Sequence, residues 1–271
     1  MVTLKHKMLE YFKPYVVKYI VVTLCMIFFL YSELGLVPRS NNVKFQLNNP
    51  RISKSYVEDE VVGGIECILM SVLISTSVLL WYCTWGKESL RKQHGAWITN
   101  RPDWISKDFH FMHVSLLCLA LVLTINGALT NSLKLIIGNF RPDFLARCMP
   151  KDVTTSKSDF YGLDICQQED KGILYEGLKS TPSGHSSFIT SGLGFIFIWQ
   201  SKYVIGKYWR HIWCLILMAI VMISRITDHR HHWYDVLSGC SLGCSIIYCC
   251  WRWVFSTRPG ATLPIPVSIP K

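Results

Sequence analysis

Charge is the scarcest thing in this chain. Only 17% of its 271 residues are charged, against about 25% in a soluble domain, and that shortage turns the reading from soluble protein toward membrane protein. Internal repeats, heptad patterns and low-complexity tracts are also missing, which excludes a solenoid or a coiled coil. No N-x-Ser/Thr sequon occurs, so N-glycosylation cannot report which side of a membrane a loop occupies. No small-residue cleavage site follows the first apolar block, which outruns a signal-peptide core; the block is expected to be a true span. Proline clusters only in the tail from Pro259 to Lys271.

What the chain has in quantity is apolar sequence. Half its residues are hydrophobic and 13% aromatic, with mean hydropathy +0.27. A bilayer core takes about 20 consecutive mostly apolar residues per helix. Six stretches qualify: Tyr15 to Val37, Val61 to Trp85, Val114 to Ile137, His185 to Val204, His211 to Ile226 and Val236 to Phe255. The fifth is the shortest in its apolar core. The expected fold is an all-α bundle of six transmembrane helices over residues 15–255, with a cytosolic segment at 1–14 and a disordered cytosolic tail at 256–271.

The basic excess, 28 Lys and Arg against 18 Asp and Glu for a net charge of +10, is scattered through membrane-flanking loops without a nucleic-acid motif, so anionic lipid is the better partner. With the amino terminus inside, inner segments hold 14 Lys and Arg and outer loops 12. The short loop carrying Lys87, Arg91, Lys92, Arg101 and Lys107 is the clearest inside signal, and the long 138–184 segment is of a length that weakens the rule. Both termini are expected in the cytosol.

Three motifs carry chemistry: KLIIGNFRP from Lys134 to Pro142, PSGH from Pro182 to His185, and SRITDHRHHWYD from Ser224 to Asp235. In an up-and-down bundle they fall at the end of span three, the start of span four, and the junction of spans five and six. Those ends share one face, opposite the termini.

The stretches resemble the three signature motifs of the type 2 phosphatidic acid phosphatase superfamily, and the layout over residues 10 to 255 is similar to its lipid phosphate phosphatase branch, fungal members above all. No fixed motif position departs from the pattern. The resemblance implies hydrolysis of phosphatidate, lysophosphatidate and diacylglycerol pyrophosphate, without a cofactor, in an endomembrane (Golgi- or vacuole-like) or the plasma membrane, with the active site lumenal or extracellular.

The residues support that chemistry on their own terms. Phosphoryl transfer needs fixed cations on the equatorial oxygens, an in-line nucleophile and a proton for the leaving oxygen. Lys134, Arg141 and Arg225 supply cations, the arginines with two-pronged donors. Ser183 and Gly184 begin a helix whose N–H groups, with the Ser183 hydroxyl, suit an anion. His231 and Asp235, four apart, are expected on one helix face, the carboxylate accepting the Nδ1 proton and freeing Nε2 to attack phosphorus through a phosphohistidine. His185 then protonates the basic leaving alkoxide. In the family the matching histidines hold these two roles, and the residue matching Asp235 orients the nucleophile.

Other readings compete. Alone, Lys134 reads as a snorkelling lysine, each arginine as an interfacial anchor and PSGH as a helix cap. His229, His231, His232 and Asp235 could hold zinc by spacing, but three cations converging on the same pocket would repel a divalent ion, so no metal is expected. Asp228, His229 and His232 are read as loop polar residues, and Glu33, Glu66, Asn126 and Asn131 as structural. Nine of eleven cysteines sit in or beside spans; Cys148 and Cys166, in the long outer loop, are expected to pair. A sugar phosphatase or polyprenyl pyrophosphatase would keep the same catalytic set, and those remain open, as do sphingoid-base phosphates. A transporter would need discontinuous helices or paired repeats, and neither is found; six spans also argue against a soluble vanadate haloperoxidase. Oligomeric state leaves no trace in the sequence.

Overall fold

A computed structural model describes residues 4–40, 43–92, 101–152 and 158–255. Those residues are helical or irregular, with no strand among them beyond isolated bridging pairs. The expected tail at 256–271 lies outside the described residues.

Helix α1 (Leu4–Phe12) runs through one tight turn at Lys13–Tyr15, where Pro14 sits at a helix start that needs no N–H, into α2 (Val16–Gly35). Then come α3 (Gly64–Thr84) and α4 (Lys107–Ile137). Two short helices, α5 (Phe144–Cys148) and α6 (Lys171–Glu176), follow on the loop. The chain continues with α7 over 184–203, α8 (Trp213–Thr227) and α9 (Trp233–Phe255). Both α3 and α7 widen by one π turn, at Met70–Ile74 and Thr190–Gly194, and these turns pack on each other.

Among the described residues, three helices are long and apolar enough to cross a membrane: Lys7–Gly35, Gly64–Thr84 and Lys107–Ile137. Their burial differs sharply. In its most apolar stretch α4 is 72% buried and the first helix 6%, so α4 is the axis on which α2, α3, α7 and α9 pack, while Ile20, Leu24, Ile27 and Leu34 of α2 point outward. Outward-facing aliphatic rows need an apolar surrounding. The start of α4 lies seven residues before the expected Val114, because Ser106 caps it, its Oγ accepting from the Phe109 N–H at 3.1 Å.

Where α4 ends decides where the site lies. Gly138 takes a left-handed conformation (φ 58°) and its N–H returns to the Lys134 carbonyl at 3.2 Å, so the chain reverses at once and brings Arg141 back toward Lys134. A Cβ there would also stand 3.0 Å from the Arg39 carbonyl oxygen. Beyond it, the described residues of 36–63 and 138–183 form a cap with an apolar core of its own: Phe45, Ile52, Phe144, Leu174 and Leu178. Cys148 and Cys166 are joined by a disulfide within it.

Candidate active site

Under this cap lies a cavity of about 240 Å³. Six of the eight residues expected to act line it: Lys134, Arg141, Gly184, His185, Arg225 and His231. Ser183 and Asp235 do not; they lie beneath it, fully buried.

His231 is fixed by main chain. Its Nδ1 is 2.8 Å from the Ser180 carbonyl, which can only accept, so the proton sits on Nδ1 and the Nε2 lone pair is free. Burial, with Arg141 and Lys134 close by, holds this imidazole well below the ordinary histidine range. It is therefore neutral at physiological pH.

The expected bond between His231 and Asp235 is absent from this geometry. Helix α9 begins at Trp233, so His231 precedes its first turn and the four-residue spacing does not stack the two side chains. Asp235 instead closes the helix start: Oδ2 accepts the His232 N–H at 2.9 Å, half of a capping box. The same oxygen accepts the Ser180 hydroxyl at 2.7 Å, and Oδ1 accepts from Thr181. Asp235 thus grips the residue whose carbonyl holds His231. One shell separates it from the imidazole.

Ser183 departs from expectation in a similar way. Its N–H donates to the Asp235 carbonyl at 3.0 Å and its Oγ accepts from the Ser186 N–H and hydroxyl at 3.4 and 3.0 Å. It caps α7 and does not face the cavity. A side chain at Gly239 would collide with the Ser183 carbonyl, so the close seat of α9 on the start of α7 requires glycine there.

Each of the two arginines is held by an acid that the motifs do not contain. Arg141 Nη2 donates to Glu176 at 2.9 Å, and Lys179 reaches the same carboxylate at 2.6 Å. Partial burial would raise the Glu176 carboxyl, but Arg141, Lys134 and Lys179 outweigh it and bring it down to about 2. Arg225, with no exposed surface, donates to Asp228 at 2.8 Å and to Glu60 at 2.6 Å. Asp228 also accepts the Val61 N–H at 3.0 Å, so this residue, expected to be an ordinary loop polar group, ties Arg225 to the cap. Its position three after Arg225 at a helix end was the available signal.

His185 Nε2 stands 3.1 Å from the Val62 carbonyl and 3.2 Å from Arg225 Nη1. A protonated Nε2 satisfies the carbonyl; a deprotonated one accepts from the guanidinium. Nε2 therefore has a partner whether or not it carries the proton.

The neighbouring histidines turn elsewhere. His229, left-handed at φ 54°, has Nδ1 3.2 Å from the Ser55 carbonyl. His232 has Nδ1 on Asp235 at 3.2 Å and Nε2 on the Arg51 carbonyl at 3.0 Å; burial opposes its charge, yet those acceptors raise its pKa. The three rings face different acceptors and do not converge. Asn131 donates to Glu33 at 2.9 Å and to Ser32 at 3.1 Å, and Asn126 donates to Ser187 at 3.2 Å, bonds between helices that give these polar residues structural work.

A neutral imidazole facing fixed cations, with a second imidazole in the same cavity, is an arrangement suited to phosphoryl transfer at the ends of apolar helices. Comparison with known proteins makes the class specific. A family model for the PAP2 superfamily matches residues 115–259. The chain is 53% identical to lipid phosphate phosphatase 1 of Saccharomyces cerevisiae over 98% of its length and 97% of that protein's. It is 28% identical to diacylglycerol pyrophosphate phosphatase 1 of the same organism, over 82% of this chain and 73% of the relative. Lipid phosphate phosphatase 2 of Arabidopsis thaliana is 31% identical over 56% of this chain and 54% of the relative. No solved structure matches. The chain belongs to the PAP2 superfamily, and it is a hydrolase, a phosphatase.

Proposed function

We propose that this protein is a Mg²⁺-independent lipid phosphate phosphatase acting on phosphatidate, lysophosphatidate and diacylglycerol pyrophosphate through a phosphohistidine. The observation that carries the reading is His231: Nδ1 committed to the Ser180 carbonyl, Nε2 turned to a cavity lined by Lys134, Arg141 and Arg225. Nε2 attacks phosphorus as the P–O bond to the lipid breaks. His185 gives its proton to the departing oxygen and, once deprotonated, accepts from Arg225. It then takes a proton from the water that cleaves the P–N bond, releasing phosphate and restoring both imidazoles. The arginines and Lys134 hold the equatorial oxygens throughout.

Asp235 acts as a positioning residue, through Ser180. Gly184 contributes close backbone approach: a Cβ there would stand 3.0 Å from Lys134 Nζ. Ser183 serves as the cap of α7.

A lipid substrate is favoured over a soluble sugar phosphate because Phe29, Ile68 and Phe188 line the same cavity as the cations. On this reading all six apolar helical segments span the bilayer, the termini are cytosolic, and the site opens on the lumenal or extracellular face. Membrane lipid phosphates are its partners, and neither metal nor nucleic acid is needed. The test is a substrate panel in detergent with EDTA present: phosphatidate, a lipid pyrophosphate, a sphingoid phosphate and glucose 6-phosphate. Turnover of the lipid phosphates with EDTA is expected; activity that vanishes and returns on adding Mg²⁺ or Zn²⁺ overturns the reading.

A further inference from the structure

Arg225 already has a partner in every direction its donors point. A guanidinium carries five N–H groups. Nε and Nη2 of Arg225 reach the Ser224 hydroxyl at 3.1 and 3.0 Å, and Nη2 also reaches Asp228 at 2.8 Å. Nη1 is directed at Glu60, 2.6 Å away, and at His185, 3.2 Å away. Arg225 can hold a phosphate oxygen only in exchange for one of these partners.

The partner that yields can be identified. Ser224 and Asp228 are buried, and the His185 direction leads to a reacting group. Glu60 differs from all three: its side chain is 26% exposed and it sits on the loop before α3, outside the motifs. Its second oxygen rests 3.1 Å from Arg230 Nη2. Arg230 is itself fixed, by Asp143 at 3.4 Å, by the Val57 carbonyl and by the Tyr56 ring at 4.7 Å. Glu60 can therefore release Arg225 with one oxygen and keep the other on Arg230, so that its charge is not left unpaired. The backbone stays where it is, because the Val61 N–H is held by Asp228 at 3.0 Å and the Val62 carbonyl by His185 at 3.1 Å.

Carboxylate and phosphate are thus rivals for one donor, since a guanidinium binds either by the same charge-assisted bonds. We propose that Glu60 is the exchangeable partner of Arg225: its carboxylate occupies Nη1 in the resting site, gives way to an equatorial oxygen of the transferring phosphate, and returns as inorganic phosphate departs. The proposal rests on the phosphatase reading above and deepens it. Between turnovers Glu60 keeps a buried guanidinium paired and in place; after turnover it competes with the product. The affinity of the site for phosphate is accordingly set by an acid from the cap as well as by the motif cations.

The test titrates the full-length protein in detergent with inorganic phosphate, read by thermal shift, in the wild type and in Glu60→Asp, Glu60→Gln and Glu33→Gln. Glu33 also lines the cavity but bonds to Asn131, so its variant reports what the loss of a cavity carboxylate does by charge alone. Glu60→Asp keeps the charge and shortens the reach by one methylene, which breaks the hold on two arginines. It is expected to tighten phosphate binding about threefold or more, and Glu60→Gln about tenfold, beyond the effect of Glu33→Gln. Phosphate binding unchanged or weakened in Glu60→Asp overturns the exchange. If Glu60→Asp does not fold, an effect of Glu60→Gln no larger than that of Glu33→Gln overturns it. Phosphatidate hydrolysis by the wild type separates the two ideas: hydrolysis without tightening in the Glu60 variants sinks the exchange only, and tightening without hydrolysis of lipid phosphates in the wild type sinks the phosphatase reading only.

Discussion

The two ends of α4 are built on opposite principles. At its start, Phe111 stacks on Trp199 at 5.5 Å, Tyr203 stacks on Trp251 at 5.9 Å, and Trp199 donates to Ser115 at 3.0 Å. At its far end, Lys134, Arg141, Arg225 and His231 surround a cavity, and each arginine is neutralised by an acid from a distant part of the chain. The first end is a clamp whose value is packing; the second keeps buried charge apart in a fixed geometry, at a cost in stability that the clamp helps offset. Substitutions should therefore separate chemistry from stability according to which end they touch.

The largest separation is expected at His231. His231→Ala should cut kcat/KM by at least about 10⁴-fold while thermal unfolding in detergent shifts by less than about 1 kcal/mol. Trp199→Ala is the mirror case: a buried aromatic lost from a packed cluster should cost about 3 to 5 kcal/mol of stability, with turnover per folded molecule retained. If it abolished turnover in folded protein, the division between the ends would fail.

Within the site end, the cap can be loosened by itself. The Cys148–Cys166 disulfide closes a loop of 18 residues, so replacing both cysteines with serine should cost about 3 kcal/mol, read by thermal unfolding. Unreacted thiols at both positions in non-reducing mass spectrometry would contradict the link itself.

Asp235→Asn sharpens the comparison most finely, because Asp235 does not line the cavity. Loosening Ser180 should misplace His231 and lower kcat by about 10²-fold with the fold intact. The pH profile distinguishes this from a general defect. Burial and the neighbouring cations lower the His231 pKa, so the active neutral form persists into acid and the acid limb of kcat/KM, corrected for substrate ionisation, should lie below the usual value of about 6.5. The Ser180 bond favours the protonated ring; losing it should move that limb to still lower pH.

Much of this was legible in the chain. Long apolar runs mark helices because a bilayer-length helix needs continuous hydropathy, and five of six segments begin within three residues of the expected position. The start of α4 was hidden because His110 and His113 interrupt the apolar run, although Ser106 caps it. The motif cations and histidines met as expected, since helix ends on one face must meet. What the motifs could not reveal were Glu60 and Glu176. Glu60 pairs with Arg225 across 165 residues and Glu176 with Arg141 across 35, and no local pattern encodes a contact made by the folding of a cap. Asp235 was misread at the level of one bond because the helix begins two residues after His231.

The central claim is that His231 Nε2 becomes bonded to phosphorus. Rapid quenching of the enzyme during turnover of ³²P-labelled phosphatidate, followed by digestion in alkali, tests it directly. The account predicts an acid-labile, alkali-stable label on the peptide containing His231, absent from His231→Ala. Label on another residue, or label persisting in His231→Ala, would contradict it.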